Sequence, residues 1–358
     1  MVRIFLFLSV TLFTSCTQKT QSENQPGLVQ QPAANPVTPI KDDFKIGEVI
    51  TTVPLRIDAS QSFALYLPKG YSEAAKYPAI IFFDPHGDGT VPLNLYHALA
   101  DQYGYVLIGS NTSKNGVSFD LTGAIANNLI SEARTRFAIE ETKISLCGFS
   151  GGAKVAMLCG AANPYITNII YCGAKVDIKP THPIVLFGFA GTKDMNYTDL
   201  VSFDWNLAKD SVSTKHYLIE WNGKHEFPTP EVFNDAFVFL KTGKVDNYEK
   251  KKVTITADKV NLEQGFKGKY IKAFQSQDLD WWKKEIAMLN SKKKSDIMYE
   301  RLLGFLSLAC YSIGSGQLQQ NNLPFAEKIL TIYNMADPGN KDCENFMAEL
   351  KRRQKAGN

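Results

Sequence analysis

Two hydrophobic periodicities divide the chain. Between about residues 46 and 240, short apolar runs alternate with amphipathic stretches, the pattern of strands joined by crossover helices in a mostly parallel sheet. Phe63-Ala64-Leu65-Tyr66-Leu67 predicts an early strand, closed by Pro68-Lys69-Gly70. Pro78-Ala79-Ile80-Ile81-Phe82-Phe83 is apolar without interruption, as befits a strand buried on both faces. Further strands are predicted at 105–109, 143–147, 169–172, 183–187 and 216–220, with helices at about 122–137 and 153–160. This order predicts an α/β fold with a doubly wound, mostly parallel sheet over residues 46–245.

Past about residue 245 the period becomes helical. Trp281, Trp282, Ile286 and Leu289 mark one amphipathic helix, and Ile297, Leu302, Leu303, Leu306 and Leu308 mark another. A smaller, all-α domain is expected over 246–358. Gly314, Ala326, Leu330 and Pro338 fall at offsets resembling the small, large and helix-ending positions of a tetratricopeptide repeat. One degenerate unit predicts a small bundle with repeat-like hairpins rather than an open array, and such helices suit a protein partner. Lys292-Lys293-Lys294 reads as a solvated helix start, with phospholipid contact as the alternative.

The first residues follow neither pattern. Arg3 precedes the run Ile4-Phe5-Leu6-Phe7-Leu8, and Thr14-Ser15-Cys16 follows, which predicts a secretory signal over 1–16 that is too short to span a membrane stably. Small residues directly before a cysteine resemble the lipobox of bacterial lipoproteins, which implies diacylation of Cys16. Residues 17–45 are rich in Gln, Asn, Pro and Thr and predict a flexible tether. The folded part is therefore expected to hang from the bacterial cell envelope by a lipid anchor, on the periplasmic side or at the surface.

Bulk composition changes this picture little. At 358 residues, about two domains are expected, and 44% hydrophobic, 21% charged residues and a net charge of +3 give no reason to invoke nucleic acid. Cys147, Cys159 and Cys172 sit in apolar surroundings and read as buried free thiols, and no Cys/His spacing suits a metal.

The candidate chemistry lies at Gly148-Phe149-Ser150-Gly151-Gly152. A serine hydroxyl needs a base to become a nucleophile and must project from the backbone to meet substrate, and a sharp strand-to-helix turn supplies that projection. Glycine two residues before and after the serine removes the clashes of such a turn. A buried strand precedes the motif and a helix follows, so Ser150 is the expected nucleophile, with the Gly151 N–H as an oxyanion donor.

The acid and base should follow in that order, each after a later strand. Asp194 in Gly191-Thr192-Lys193-Asp194 and His225 in Gly223-Lys224-His225 meet this rule. Asp199 and Asp204 compete for the acid but also suit helix starts, and His97, His182 and His216 read as structural or surface residues. The loop Asp84-Pro85-His86-Gly87-Asp88-Gly89 follows the central strand, where this architecture places its second oxyanion donor. Gly87 or Asp88 is expected to supply that donor, with His86 structural.

Together, Leu65-Tyr66-Leu67-Pro68-Lys69-Gly70-Tyr71, Pro85-His86-Gly87, the Ser150 motif, Gly191-Thr192-Lys193-Asp194 and Gly223-Lys224-His225 resemble α/β-hydrolases. Within them the chain is similar to the poly(3-hydroxybutyrate) depolymerase and feruloyl-esterase-like branch, although Asp88-Gly89 departs from that branch's small or cysteine-containing continuation. The resemblance implies a serine carboxylic-ester hydrolase that works through an acyl-enzyme without a cofactor, on small-molecule or polymer-linked esters. A peptidase or acyltransferase of the same fold is the alternative among enzymes, and a silent envelope scaffold is the alternative outside them.

Overall fold

The computed structural model describes residues 42–209 and 215–356. The signal segment, Cys16 and all but the last few residues of the tether lie outside the described residues. From Phe44 onward the chain forms one compact unit. Among the described residues no helix is long and apolar enough to cross a membrane.

The elements run β1 (Val49–Pro54), β2 (Ser62–Tyr66), β3 (Tyr77–Phe83), α1 (Thr90–Tyr103), β4 (Val106–Ser110), α2 (Phe119–Arg136), β5 (Ile139–Phe149), α3 (Gly151–Ala162), β6 (Ile166–Cys172), β7 (Val185–Gly191), α4 (Tyr197–Lys209), β8 (Lys215–Trp221) and α5 (Pro230–Thr242). The short α6 (Tyr248–Lys251) is followed by five longer helices, α7 (Ala257–Ser276), α8 (Leu279–Lys292), α9 (Ile297–Gln319), α10 (Leu323–Ala336) and α11 (Lys341–Ala356).

Eight strands form a single sheet in the order β1-β2-β4-β3-β5-β6-β7-β8. β2 pairs antiparallel with both β1 and β4, and every pairing from β4 to β8 is parallel. This order, with its antiparallel β2, is the α/β-hydrolase fold. The continuous apolar runs lie where both sheet faces are covered. α2, α3 and α4 pack on one face through Leu129, Ala153, Val155 and Leu200, and α1 and α5 pack on the other through Leu93, Tyr96, Phe233 and Phe237. Parallel pairing also brings the C-terminal ends of β3, β5, β7 and β8 to one edge of the sheet, where the loops that follow them gather.

The segment after α5 still belongs to the sheet. Lys252 bridges to Ile219 of β8, the Leu218 N–H donates to the Tyr248 hydroxyl at 3.2 Å, and Val253 and Ile255 pack on the core. The helices from α7 onward enclose a third core built on Tyr270, Trp282, Leu302, Leu306, Ile329 and Leu330. The links between α8 and α11 are only a few residues long, which makes consecutive helices antiparallel neighbours. Gly314 faces Leu330 across α9 and α10, where a Cβ would come within 2.9 Å of the leucine Cδ2.

A buried charge network joins the helices to the sheet. The Arg301 guanidinium donates to Glu263 through Nη2 at 2.6 Å and to the Thr192 carbonyl through Nη1 at 2.7 Å. Lys267 donates to the Met195 carbonyl at 2.7 Å and to Asp199 at 2.8 Å. Glu263, Lys267 and Arg301 are all buried, so each charge needs these partners to offset its lost hydration.

Candidate active site

The loop at the end of β5 sets the geometry. Ser150 has φ 52° and ψ −119°, a strained conformation for a residue with a side chain, and its N–H is held by the Cys172 carbonyl at 2.9 Å. Strand and helix approach so closely here that a Cβ on Gly148 would lie 2.1 Å from the Gly152 carbonyl oxygen. A Cβ on Gly152 would lie 1.9 Å from that of Phe83. The two glycines of the motif therefore permit the contact that turns the serine outward from the sheet edge.

The structure brings Ser150, His225 and Asp194 together. His225 Nε2 lies 2.9 Å from Ser150 Oγ, and His225 Nδ1 lies 3.0 Å from both Asp194 carboxylate oxygens. Asp194 is 1% exposed. It is held in turn by the Asn196 N–H at 2.8 Å. The imidazole leans on the Phe149 ring at 4.7 Å between centroids. The loops carrying acid and base are knit together, with the Lys193 N–H donating to the Gly223 carbonyl at 2.8 Å and the Thr192 N–H to the Trp221 carbonyl at 2.9 Å.

The competing residues are engaged elsewhere. Asp199 pairs with Lys267, and Asp204 faces His216 at 3.5 Å. His182 meets the Ile166 carbonyl at 2.8 Å, His97 stacks against Tyr66, and His86 is a solvent-exposed side chain 3.5 Å from Asp84.

The loop after β3 turns its donors inward. The Gly87 N–H donates to the Asp84 carbonyl at 3.2 Å, and the Asp88 N–H donates to the Asp84 carboxylate at 3.4 Å, as does that of His86 at 2.8 Å. The expected donors Gly87 and Asp88 are thus occupied within their own loop, and Pro85 and His86 face the space above Ser150 instead. Gly151, the other expected donor, begins α3, where backbone N–H groups of the first turn have no helical partner.

Two residues at the site carried no sequence signal. The Asn115 carboxamide lies against Gly151, where a Cβ would come within 1.9 Å of its Oδ1, and its own N–H is anchored on the Pro85 carbonyl at 2.8 Å. Gly173 follows β6 with φ +67°, and a Cβ there would press on Phe149, Asp194 and His225 at 2.8 to 3.1 Å. Its carbonyl accepts from Asn196 Nδ2 at 2.8 Å, which ties the floor of the site to the acid loop.

A cavity of about 540 Å³ opens over Ser150 and His225. Its near wall comes from Lys114, Asn115, Phe149 and Met195, and its far wall from Ser307, Leu308, Tyr311, Tyr333 and Asp342 of the C-terminal helices. Leu308 and Tyr311, 40% and 39% exposed, present apolar surface to this space. A second cavity, of about 840 Å³, adjoins the first and shares Met195, His225 and Ser307 with it.

Among the described residues no group of His, Cys, Asp and Glu side chains is placed to hold a metal, and the five described cysteines are buried free thiols. Burial alone pushes the Cys159 thiol up to about 11.

No protein-family model and no curated protein matches the chain. Solved structures overlay on it in part. A hyperthermophilic esterase from the archaeon Pyrobaculum calidifontis has a TM-score of 0.44 at 12% identity and covers 56% of this chain and 87% of its own. Est1E from Butyrivibrio proteoclasticus has a TM-score of 0.42 at 13% identity and covers 55% of this chain and 100% of its own. An acylaminoacyl peptidase from Pyrococcus horikoshii has a TM-score of 0.39 at 13% identity and covers 60% of this chain and 43% of its own. At these scores the chemistry has to be drawn from this chain's own site.

Proposed function

We propose that this chain is an exported, lipid-anchored serine hydrolase that cleaves carboxylic esters through an acyl-enzyme. The observation that carries the reading is the continuous relay from buried Asp194 through His225 to Ser150, ending on a strained turn at the mouth of a cavity. Asp194 fixes the imidazole tautomer by accepting from Nδ1, which leaves Nε2 free to take the Ser150 proton as Oγ attacks the ester carbonyl. The imidazolium then returns that proton to the departing alkoxide. The resulting ester on Ser150 is hydrolysed by water along the same path in reverse roles.

The negative charge that develops on the carbonyl oxygen needs donors already in place. The Gly151 N–H at the start of α3 is one, supported by the partial positive charge of the helix N-terminus. The Asn115 carboxamide has its Oδ1 nearest Gly151, and its Nδ2, the donor end, would supply the second, a role that suits a loop whose Gly87 and Asp88 N–H groups are engaged with Asp84. The chemistry calls for no cofactor. The signal segment and Cys16 support delivery to the cell envelope, where the alcohol is borne by a small molecule or a polymer.

Labelling with a fluorophosphonate probe tests the reading. The wild-type protein is expected to be labelled once, at Ser150, and Ser150→Ala not at all. Absence of label on the folded wild-type protein would remove the enzyme, and label persisting on Ser150→Ala would move the nucleophile. For the anchor, Cys16→Ser is expected to convert a detergent-extracted membrane protein into a released one, and unchanged fractionation would rule out lipidation at Cys16.

A further inference from the structure

We propose that the second cavity is an anion-binding subsite for the alcohol part of the substrate, so that the preferred esters carry a carboxylate, sulfate or phosphate on the leaving group. The proposal rests on the esterase reading above.

Two features place the alcohol there. His225 must deliver its proton to the leaving oxygen, so the alcohol has to lie within reach of Nε2, on the side of the site where His225 stands. The second cavity shares that residue, and its lining includes neither Gly151 nor Asn115, beside which the carbonyl oxygen would sit.

The charge of the cavity gives the class of ligand. Lys193 and Lys224 come from the loops after β7 and β8, directly before and beside the acid and base, and Lys293 and Lys294 come from the turn between α8 and α9. Four ammonium groups from three separate segments thus line one space. Among the described residues none of the four has a carboxylate within ion-pairing distance, whereas other cations near this loop do, such as Lys267 with Asp199 at 2.8 Å. Lys293 donates to the Asn290 side chain at 2.8 Å, and among the described residues no side-chain partner holds the other three. The acidic residues in the cavity are Glu300 and Asp337, and Asp337 already accepts from Ser307 and Asn340. Lysines outnumber carboxylates by four to two, which leaves the space net positive at neutral pH. Such a concave, like-charged surface raises the local concentration of an anionic ligand and orients it toward the base.

Acetyl esters of hydroxybenzoates offer a direct comparison, because 3-acetoxybenzoate and 3-acetoxybenzamide differ mainly by one charge on the leaving group. With kcat/KM divided by the rate in hydroxide, the wild-type protein is expected to favour the benzoate by about tenfold at low salt. The preference should shrink as salt is raised, since exposed charges are screened over about 10 Å at 0.1 M ionic strength. 3-Acetoxyphenyl sulfate, run beside the benzoate, tells whether a carboxylate or a tetrahedral oxyanion fits better. Lys293→Glu/Lys294→Glu, two exposed positions outside the triad, should reverse the preference. If the wild-type protein turns over benzamide and charged esters equally, the subsite is overturned and the esterase reading stands. A preference that survives the double charge reversal also overturns it. If the folded protein turns over none of these esters, the esterase reading falls and the subsite with it.

Discussion

The sheet and the C-terminal helices meet at the same pocket and contribute to it by different physics. The sheet carries Ser150, Asp194 and His225 on loops at the ends of parallel strands, with the acid and base loops joined by short backbone hydrogen bonds. The helices supply no member of the relay. They act on it from two sides, with Lys267 and Arg301 gripping the acid loop from behind through compensated, buried charges, and with Tyr311, Leu308, Lys293 and Lys294 facing the ligand space in front. The lesson is that a cation whose partners are already supplied is part of the framework, while one left without them is available to a ligand.

The contrast predicts separable effects. The largest is on the sheet side, where His225→Ala should lower kcat for p-nitrophenyl acetate by about 10⁴ or more with little change in the thermal midpoint. Wild-type turnover in that variant would place the base elsewhere.

On the helix side, Arg301→Ala leaves buried Glu263 with only Lys267 at 3.7 Å and the Thr198 hydroxyl at 3.2 Å and should cost about 2–4 kcal/mol of stability in a denaturant titration. Glu263→Leu/Arg301→Met, which removes both charges, should recover much of that loss, and a double variant as unstable as the single one would show that the pair itself is not what the site needs.

Asn115→Ala should reduce kcat by about 10²-fold, the usual effect of losing one oxyanion donor, with KM changed much less. A pure KM effect would make Asn115 a binding residue. The smallest effect is expected from Tyr311→Ala, which should raise KM for aryl esters by severalfold, about 1 kcal/mol of lost apolar contact. An unchanged KM would detach the helices from substrate binding.

How far the sequence could be read follows from the same division. Every long buried strand was legible at least in part, because apolar runs bounded by turns are a local signal, although β7 was read early, at 183–187 rather than Val185–Gly191. β5 was read short, at 143–147 rather than Ile139–Phe149, because its first turn toward the surface carries Glu140, Glu141 and Thr142. β1 was missed for a related reason, since Thr51 and Thr52 interrupt its apolar character at an exposed sheet edge.

Ser150, Asp194 and His225 could be named because the elbow is a local motif and the chain order of its partners is constrained by the topology. Asn115 could not, because nothing near it in sequence marks it. It reaches Gly151 only once β4 lies beside β3 and the loop after it folds onto Pro85. The side chains of α9 to α11 were illegible as site residues for a stronger version of the same reason, since they meet Ser150 across more than 150 residues of sequence. Gly87 and Asp88 illustrate the opposite limit. Their position after β3 was read correctly, but the direction of an N–H depends on one competing acceptor, Asp84, that a motif does not encode.

The bridge between Lys252 and Ile219 gives the join between sheet and helices a second meaning. β8 is the last strand of the sheet, and an uncovered last strand is a template on which another chain can add itself. The residues that lead from α5 to α7 run along that strand and occupy part of it before they reach the helices. Cutting the chain at the apparent boundary near residue 245 would therefore not release a minimal hydrolase. It would strip the guard from a sheet edge and the grip from the acid loop in one stroke, and turn a self-contained fold into a sticky one.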